Sequence, residues 1–361
     1  MKVAITFGAP YAADIKEIQL ESQITYVVEA ERLGVDSAWT AEAWGYDAIT
    51  PLAYAAAKTS RIRLGTGIMQ IGSRTPAMIA MTALAMAALS QDRFILGLGV
   101  SGPQVMEGWH GVRFAHPLQR TREVVEIVRM VFRGERLSYN GEIYQLPLPG
   151  GEGKALKPDA QPRPHLPIYL ATLGPKNLEL TGELANGWLG TSFMPEHAQL
   201  FLAPIEQGAR KAGRSLADLD LLVTAGTVAF TDDLEPLLAS LKVPLAFSLG
   251  AMGSRQHNFY NAVFQRAGYA DLALRIQDLW LQGQRREAIV LIPDDLVLKT
   301  NLIGTKEMVR ERLRLYQRAG VTTLNIGTAG QTLDECLNTL GQLIDLLKEE
   351  AGSVKEHSMN S

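Results

Sequence analysis

The chain has 361 residues, 47% of them hydrophobic and 20% charged, with a formal net charge of −3. That length holds one large domain or two ordinary ones, and the balance is that of an ordinary globular protein. The slight acidity and the lack of any Lys/Arg block argue against a nucleic-acid surface, and a single cysteine, Cys336, excludes an internal disulfide and a cysteine-built zinc cluster.

The opening MKVAITFGAP holds a short apolar strand at 3–7 and no signal-peptide core, so a cytoplasmic location is expected. Leu20, Ile24, Val27 and Val28 then form one helical face, which ends at Gly34 ahead of a strand at 37–40. A third strand is expected at 62–68. The apolar run 77–89 is broken by Thr82 and too short to span a bilayer. Its Met78, Met81 and Met86 suit core or subunit-interface packing. A fourth strand at 93–98 leads into Gly97-Leu98-Gly99-Val100-Ser101-Gly102, and a helix at 118–133 carries Val124, Ile127, Val128 and Val131.

LSYNGEIYQL, 137–146, has an Asn-Gly turn and predicts an inserted hairpin. A strand at 168–171, a helix at 175–185 and strands at 188–191 and 219–229 follow. The stretch 234–297 reads as a mostly helical excursion over one end of the fold, with a loop at 252–255. Met308, Leu313, Leu315 and Tyr316 mark a helix with Thr305 as N-cap, and the last strand falls at 322–326. Cys336 sits in a helical pattern as a small core residue, and the polar tail 352–361 is expected to be disordered.

Three helices run into a strand through one glycine: Gly34, Gly187 and Gly320. Such turns are the returns of β-α-β units, with the glycine at a left-handed C-cap. Eight strands alternating with helices, and no linker to divide the chain, predict a single α/β domain over 1–351, a (β/α)8 TIM barrel rather than a doubly wound sheet.

Gly97–Gly102 spells the dinucleotide motif G-x-G-x-x-G. The motif needs a helix opening on its third glycine and an acid at the end of the next strand. No apolar helical stripe forms before Pro117, and a helix stands where the second strand should be. The alternatives are a glycine-lined strand end that lets a cofactor approach the backbone, or a structural turn.

In a barrel the site forms from residues just after each strand. Those positions are Phe7-Gly8, Thr40–Asp47, Gly65–Met69 running to Arg74, Gly99–Gly102 and Ala171–Asn177. In the last, Gly174-Pro175-Lys176 opens a helix whose free N–H groups suit a phosphate. An ordinary helix start would look the same.

These segments, with 94–111 and 167–188 (PIYLATLGPKNLELTGELANGW), resemble the bacterial-luciferase-like superfamily, and most of all its coenzyme F420-dependent oxidoreductases. The resemblance covers about 1–195 and recurs at 302–326. It implies a (β/α)8 barrel, usually a homodimer, holding a flavin or deazaflavin at the strand ends. It places a non-prolyl cis peptide at Gly67-Ile68 behind the ring, and Glu42 and Ala43 beside it. Ser101 and Gly102, with Gly99 and Val100, lie along the cofactor side chain, and Thr172, Leu173 and Gly174, with Pro175, Lys176 and Asn177, at the phosphate. Phe7 completes the expected cofactor contacts, and no metal is expected.

One position departs from the family pattern. Its alcohol and sugar-phosphate dehydrogenases have a histidine after the acid, where this chain has Ala43. Alcohol oxidation needs a base there, so reduction of a C=C, C=N or carbonyl group is favoured. Glu42, Tyr46, Glu107 and His110 are the candidate proton donors, and Trp44 and Trp109 candidate substrate contacts or pocket walls. The expected activity is hydride transfer between coenzyme F420 and a small organic substrate. The alternatives are an FMN-dependent monooxygenase using oxygen and a flavin-binding protein without catalysis.

Overall fold

The computed structural model describes residues 1–7, 20–253 and 258–359, with 353–359 by their backbone only. Gly8, Ser254 and Arg255, named above, lie outside the described residues.

Eight strands close a parallel ring: β1 (Lys2–Phe7), β2 (Ser37–Thr40), β3 (Arg63–Thr66), β4 (Phe94–Gly99), β5 (Ile168–Ala171), β6 (Gly187–Gly190), β7 (Asp220–Phe230) and β8 (Thr323–Thr328). Each pairs with the next, and β8 pairs with β1 (Val3 opposite Leu324) to close the barrel. The expected (β/α)8 barrel is therefore the fold. The surrounding helices are α1 (Leu20–Leu33), α2 (Ile49–Lys58), α3 (Pro76–Leu89), α4 (Pro117–Phe132), α5 (Pro175–Leu184), α6 (Gln199–Lys211), α7 (Lys306–Arg318) and α8 (Leu333–Met359).

Alternation along each strand sorts the side chains into two cores. Val3, Ile5, Phe7, Leu64, Leu96, Leu170 and Leu324 face the helices. Ala4, Trp39, Ile95, Tyr169, Leu189 and Leu222 fill the barrel interior. The Trp39 ring takes the space a side chain on Gly65 would need, with its nearest atom 2.3 Å from an ideal Cβ there. Below this layer, Tyr169 and Thr323 donate hydrogen bonds to Asp220, each at 2.8 Å, and Arg63 lies 3.5 Å from the same carboxylate.

Gly34 and Gly320 have φ of +94° and +82°, the left-handed C-caps expected of them. Gly187 is different. It belongs to β6, where a Cβ would meet the Tyr169 ring at 2.7 Å, so it is kept for space. Thr305 does cap α7, accepting from the Met308 N–H at 3.3 Å.

The hairpin forms between Tyr139–Asn140 and Gln145–Leu146. Buried Glu123 of α4 holds its turn, accepting from the backbone N–H groups of Glu142 and Tyr144, each at 2.8 Å, and of Ile143 at 3.0 Å. Burial alone would raise the Glu123 pKa, but these bonds and one from Gln119 outweigh it and hold the pKa below its ordinary value.

The excursion after β7 is five α-helices, Glu235–Ala251, Phe259–Phe264, Ala270–Leu281, Arg285–Val290 and Asp294–Thr300, with a core of their own around Leu249, Phe264, Ile276 and Leu296. This region touches the segment after β4: Gln104 donates to the Gly253 carbonyl at 2.7 Å, and Phe259 packs against Phe114. Met252 and Gly253 lie in the expected loop.

Two expectations need correcting. The last helix runs through Gly352 to Met359 instead of giving way to a disordered tail. After Gly352 no glycine or proline interrupts it, so each added residue extends the helix at little cost. Cys336 is half-buried rather than core, in the first turn of that helix. Among the described residues no helix is long and apolar enough to cross a membrane.

Candidate active site

The C-terminal ends of β1–β5 bring most of the sequence-picked residues to one face. Phe7 is the exception. It is 4% exposed in the outer core, because strand parity turns it toward the helices. Its neighbour Thr6 faces the barrel mouth instead.

The dinucleotide reading fails on geometry. Gly97 and Gly99 lie inside β4, in the barrel wall. A Cβ on Gly97 would fall 1.8 Å from the Thr66 carbonyl oxygen, and one on Gly99 2.7 Å from Ile68. The absent side chains of those two glycines leave room for neighbouring protein atoms. Gly102 keeps open space around its Cα. A helix does open on it, contrary to expectation, but Pro103–Gly108 is a short piece with no following strand. Its shortness explains why no apolar stripe announced it. Before it, Ser101 takes a left-handed φ of +60°.

The Gly67–Ile68 peptide is cis, as the family resemblance implied. Ile68 accepts the Glu42 N–H at 3.2 Å, joining the ends of β2 and β3. The Glu42 side chain is 8% exposed. It accepts from the Gln70 N–H at 2.9 Å, the Ala48 N–H at 3.2 Å and both terminal nitrogens of Arg74. Gln70 donates to the Glu42 and Ala43 carbonyls at 2.9 and 3.3 Å, and its own Oε1 is buried without a partner among the described residues. Glu42 is thus the knot of the β2 and β3 loops. Arg74 and Gln70 complete it, and sequence reasoning gave them no role.

At the end of β5, Thr172 shares a 2.8 Å hydrogen bond with Thr181, and the Trp188 indole donates to the Thr172 carbonyl at 3.0 Å. α5 starts at Pro175 with no side-chain cap, and Gly174 before it is sterically open. The Asn177 Oδ1 in its first turn is buried without a partner among the described residues. Lys176 is exposed beside it. From the helical excursion, Arg266 donates to the Leu173 carbonyl at 2.7 Å. It has no carboxylate partner among the described residues, and burial lowers its pKa. An uncapped helix start, two cations and an orphaned amide fit the anionic end of a flavin-type cofactor. Arg266 stands 93 positions from Leu173, and no local signal links them.

The remaining candidates lie on the segments that follow β2 and β4, Glu107 on the short helix Pro103–Gly108. Glu107 accepts the Phe114 N–H at 2.9 Å and pins the loop after β4. His110 is exposed, as are Trp44, Tyr46 and Trp109, at 47%, 56% and 66%.

The model of the luciferase-like monooxygenase family matches residues 1–323. The provisionally named coenzyme F420-dependent oxidoreductase Rv3520c of Mycobacterium tuberculosis is 42% identical over 318 residues, covering 85% of this chain and 91% of its own. The 5,10-methylenetetrahydromethanopterin reductase of Archaeoglobus fulgidus is 28% identical, covering 89% of this chain and 93% of its own. The structure of the coenzyme F420-dependent tetrahydromethanopterin reductase from Methanopyrus kandleri superposes with a TM-score of 0.77 at 23% identity, over 94% of this chain and 97% of its own.

Proposed function

This chain belongs to the luciferase-like monooxygenase family, and from that premise we propose an oxidoreductase that passes a hydride from reduced coenzyme F420 to a small organic molecule. The relative of 42% identity supports the choice of coenzyme. The observation that carries the reading is the uncapped start of α5 flanked by Lys176 and Arg266, built for an anionic cofactor end.

When bound, the coenzyme supplies the hydride. The chain's residues do the rest. Thr172–Asn177 and Arg266 hold the phosphate-bearing end, Ser101 and Gly102 border the side chain, and Gly67, Ile68 and Ala43 border the ring. Glu42 fixes the two loops. With both oxygens taken by N–H donors it serves as a positioning residue rather than a proton donor. Ala43 offers no base for alcohol oxidation, which supports reduction. The accompanying proton comes from Tyr46, Glu107 or His110, and Trp44 walls the substrate.

The outer face of α3 supports a homodimer. Met78, Met81 and Leu89 are 52%, 61% and 64% exposed on a helix that is apolar on every side.

A fluorescence titration tests the coenzyme. Micromolar or tighter binding of F420 is expected, with FMN much weaker. FMN binding without F420 binding would overturn the reading in favour of the oxygen-using monooxygenase.

A further inference from the structure

We propose that Thr6, Thr224 and Asn325 form a polar subsite for an uncharged carbonyl or amide group of the molecule that is reduced. This deepens, and rests on, the reading just given.

Strand parity puts all three inside the barrel. Thr6 follows inward Ala4 by two positions, and Thr224 follows inward Leu222 by two. Asn325 pairs in register with Thr224 on one side and Ala4 on the other. The layer beneath them, Trp39, Tyr169, Ile95, Leu189 and Leu222, is buried and apolar. Thr6 and Thr224 are nonetheless exposed and Asn325 half-buried, so this layer opens to the mouth.

The three are not consumed by the fold. Thr6 Oγ1 lies 2.9 Å from Asn325 Nδ2 and 3.1 Å from Oδ1. The Thr224 hydroxyl makes no hydrogen bond among the described residues, and each threonine can donate and accept. In the ring, β7, β8 and β1 are neighbours, whereas the residues assigned to the cofactor stand mostly at the ends of β3, β4 and β5, the other half. The space between is left for substrate.

The chemistry of the trio selects what it takes. No charged side chain bonds to it among the described residues. The Arg63–Asp220 cluster lies at the opposite end, below Trp39 and Tyr169. A carboxylate would lose its hydration there without gaining a cation. A neutral carbonyl or amide finds hydroxyl and amide donors in a partly dry setting.

The test uses cyclohex-2-enone and cyclohex-1-enecarboxylate as probes, with saturation-transfer NMR on the F420-loaded protein. The enone should receive saturation and the carboxylate should not. Thr224→Val, Thr6→Val and Asn325→Leu should each weaken enone binding by about five- to tenfold. F420 affinity, titrated separately, should stay within about twofold of the parent. Thr224→Val removes an unbonded exposed hydroxyl, so it reports even if Asn325→Leu folds poorly. Stronger transfer to the carboxylate, no transfer to the enone, or unchanged enone binding in Thr224→Val would overturn the subsite. Failure of F420 to bind would overturn the coenzyme reading alone, since the probes can be read on the cofactor-free protein.

Discussion

Both oxygens of the Glu42 carboxylate are held by one guanidinium, that of Arg74, with Nη2 3.0 Å from Oε2. The pair is mostly out of water, at 8% and 22% side-chain exposure, and spans the loops after β2 and β3. With the Gln70 and Ala48 N–H groups also bound to it, this carboxylate clasps the two loops together.

Glu42→Gln keeps the size and removes the charge. Breaking a largely buried pair from one side costs about 2–4 kcal/mol. The variant should unfold at lower denaturant, and F420 affinity should fall as the Gly67–Gln70 segment loosens. Chemical denaturation checks the first and fluorescence titration the second. Unchanged values in both would remove Glu42 from the site.

The two ends of the G-x-G-x-x-G run should respond in opposite ways. Gly97→Ala places a Cβ 1.8 Å from the Thr66 carbonyl oxygen and should cost about 3 kcal/mol or more, or prevent folding. Gly102→Ala meets nothing within 4 Å at a φ of −138° that alanine readily adopts. Its stability should stay within about 0.5 kcal/mol of the parent, while F420 binding weakens. A stable Gly97→Ala would refute the packing account of this glycine.

Glu123 sets a pH dependence. Its native pKa lies below the ordinary 4.5. The carboxylate therefore stabilises the fold above that ordinary value, and the contribution is lost as pH falls through the lowered native one. Glu123→Gln should cost about 2 kcal/mol at neutral pH. The gap between parent and variant should narrow below about pH 4. Paired unfolding curves at neutral and acid pH measure it, and a gap independent of pH would contradict the assignment.

Met81→Glu places a charge in the middle of the exposed α3 stripe. If that stripe joins two copies, sedimentation should show the parent as a dimer and the variant as a monomer. A monomeric parent would end the proposal.

The barrel was legible because strand spacing, helix-ending glycines such as Gly34 and Gly320, and the Thr305 cap are local signals. The hairpin at Asn140-Gly141 was legible for the same reason. Parity inside the strands was not. Parallel strands buried on both faces read as apolar runs, so nothing local says which alternate residue faces inward. In β1 it is Phe7 that turns to the outer core and Thr6 that faces the mouth.

By itself the sequence determined the order of elements, the face that carries the loops and the family pattern from Glu42 to Asn177, since each is written within a few neighbouring residues. Only the tertiary structure decided which atoms meet. It brought Arg74 to Glu42 and Arg266 to Leu173, filled the space beside Gly97 and Gly99 with protein atoms, and left Gly102 open. Contacts between distant segments depend on barrel closure and on the inward turn of each strand, which no local stretch of chain encodes.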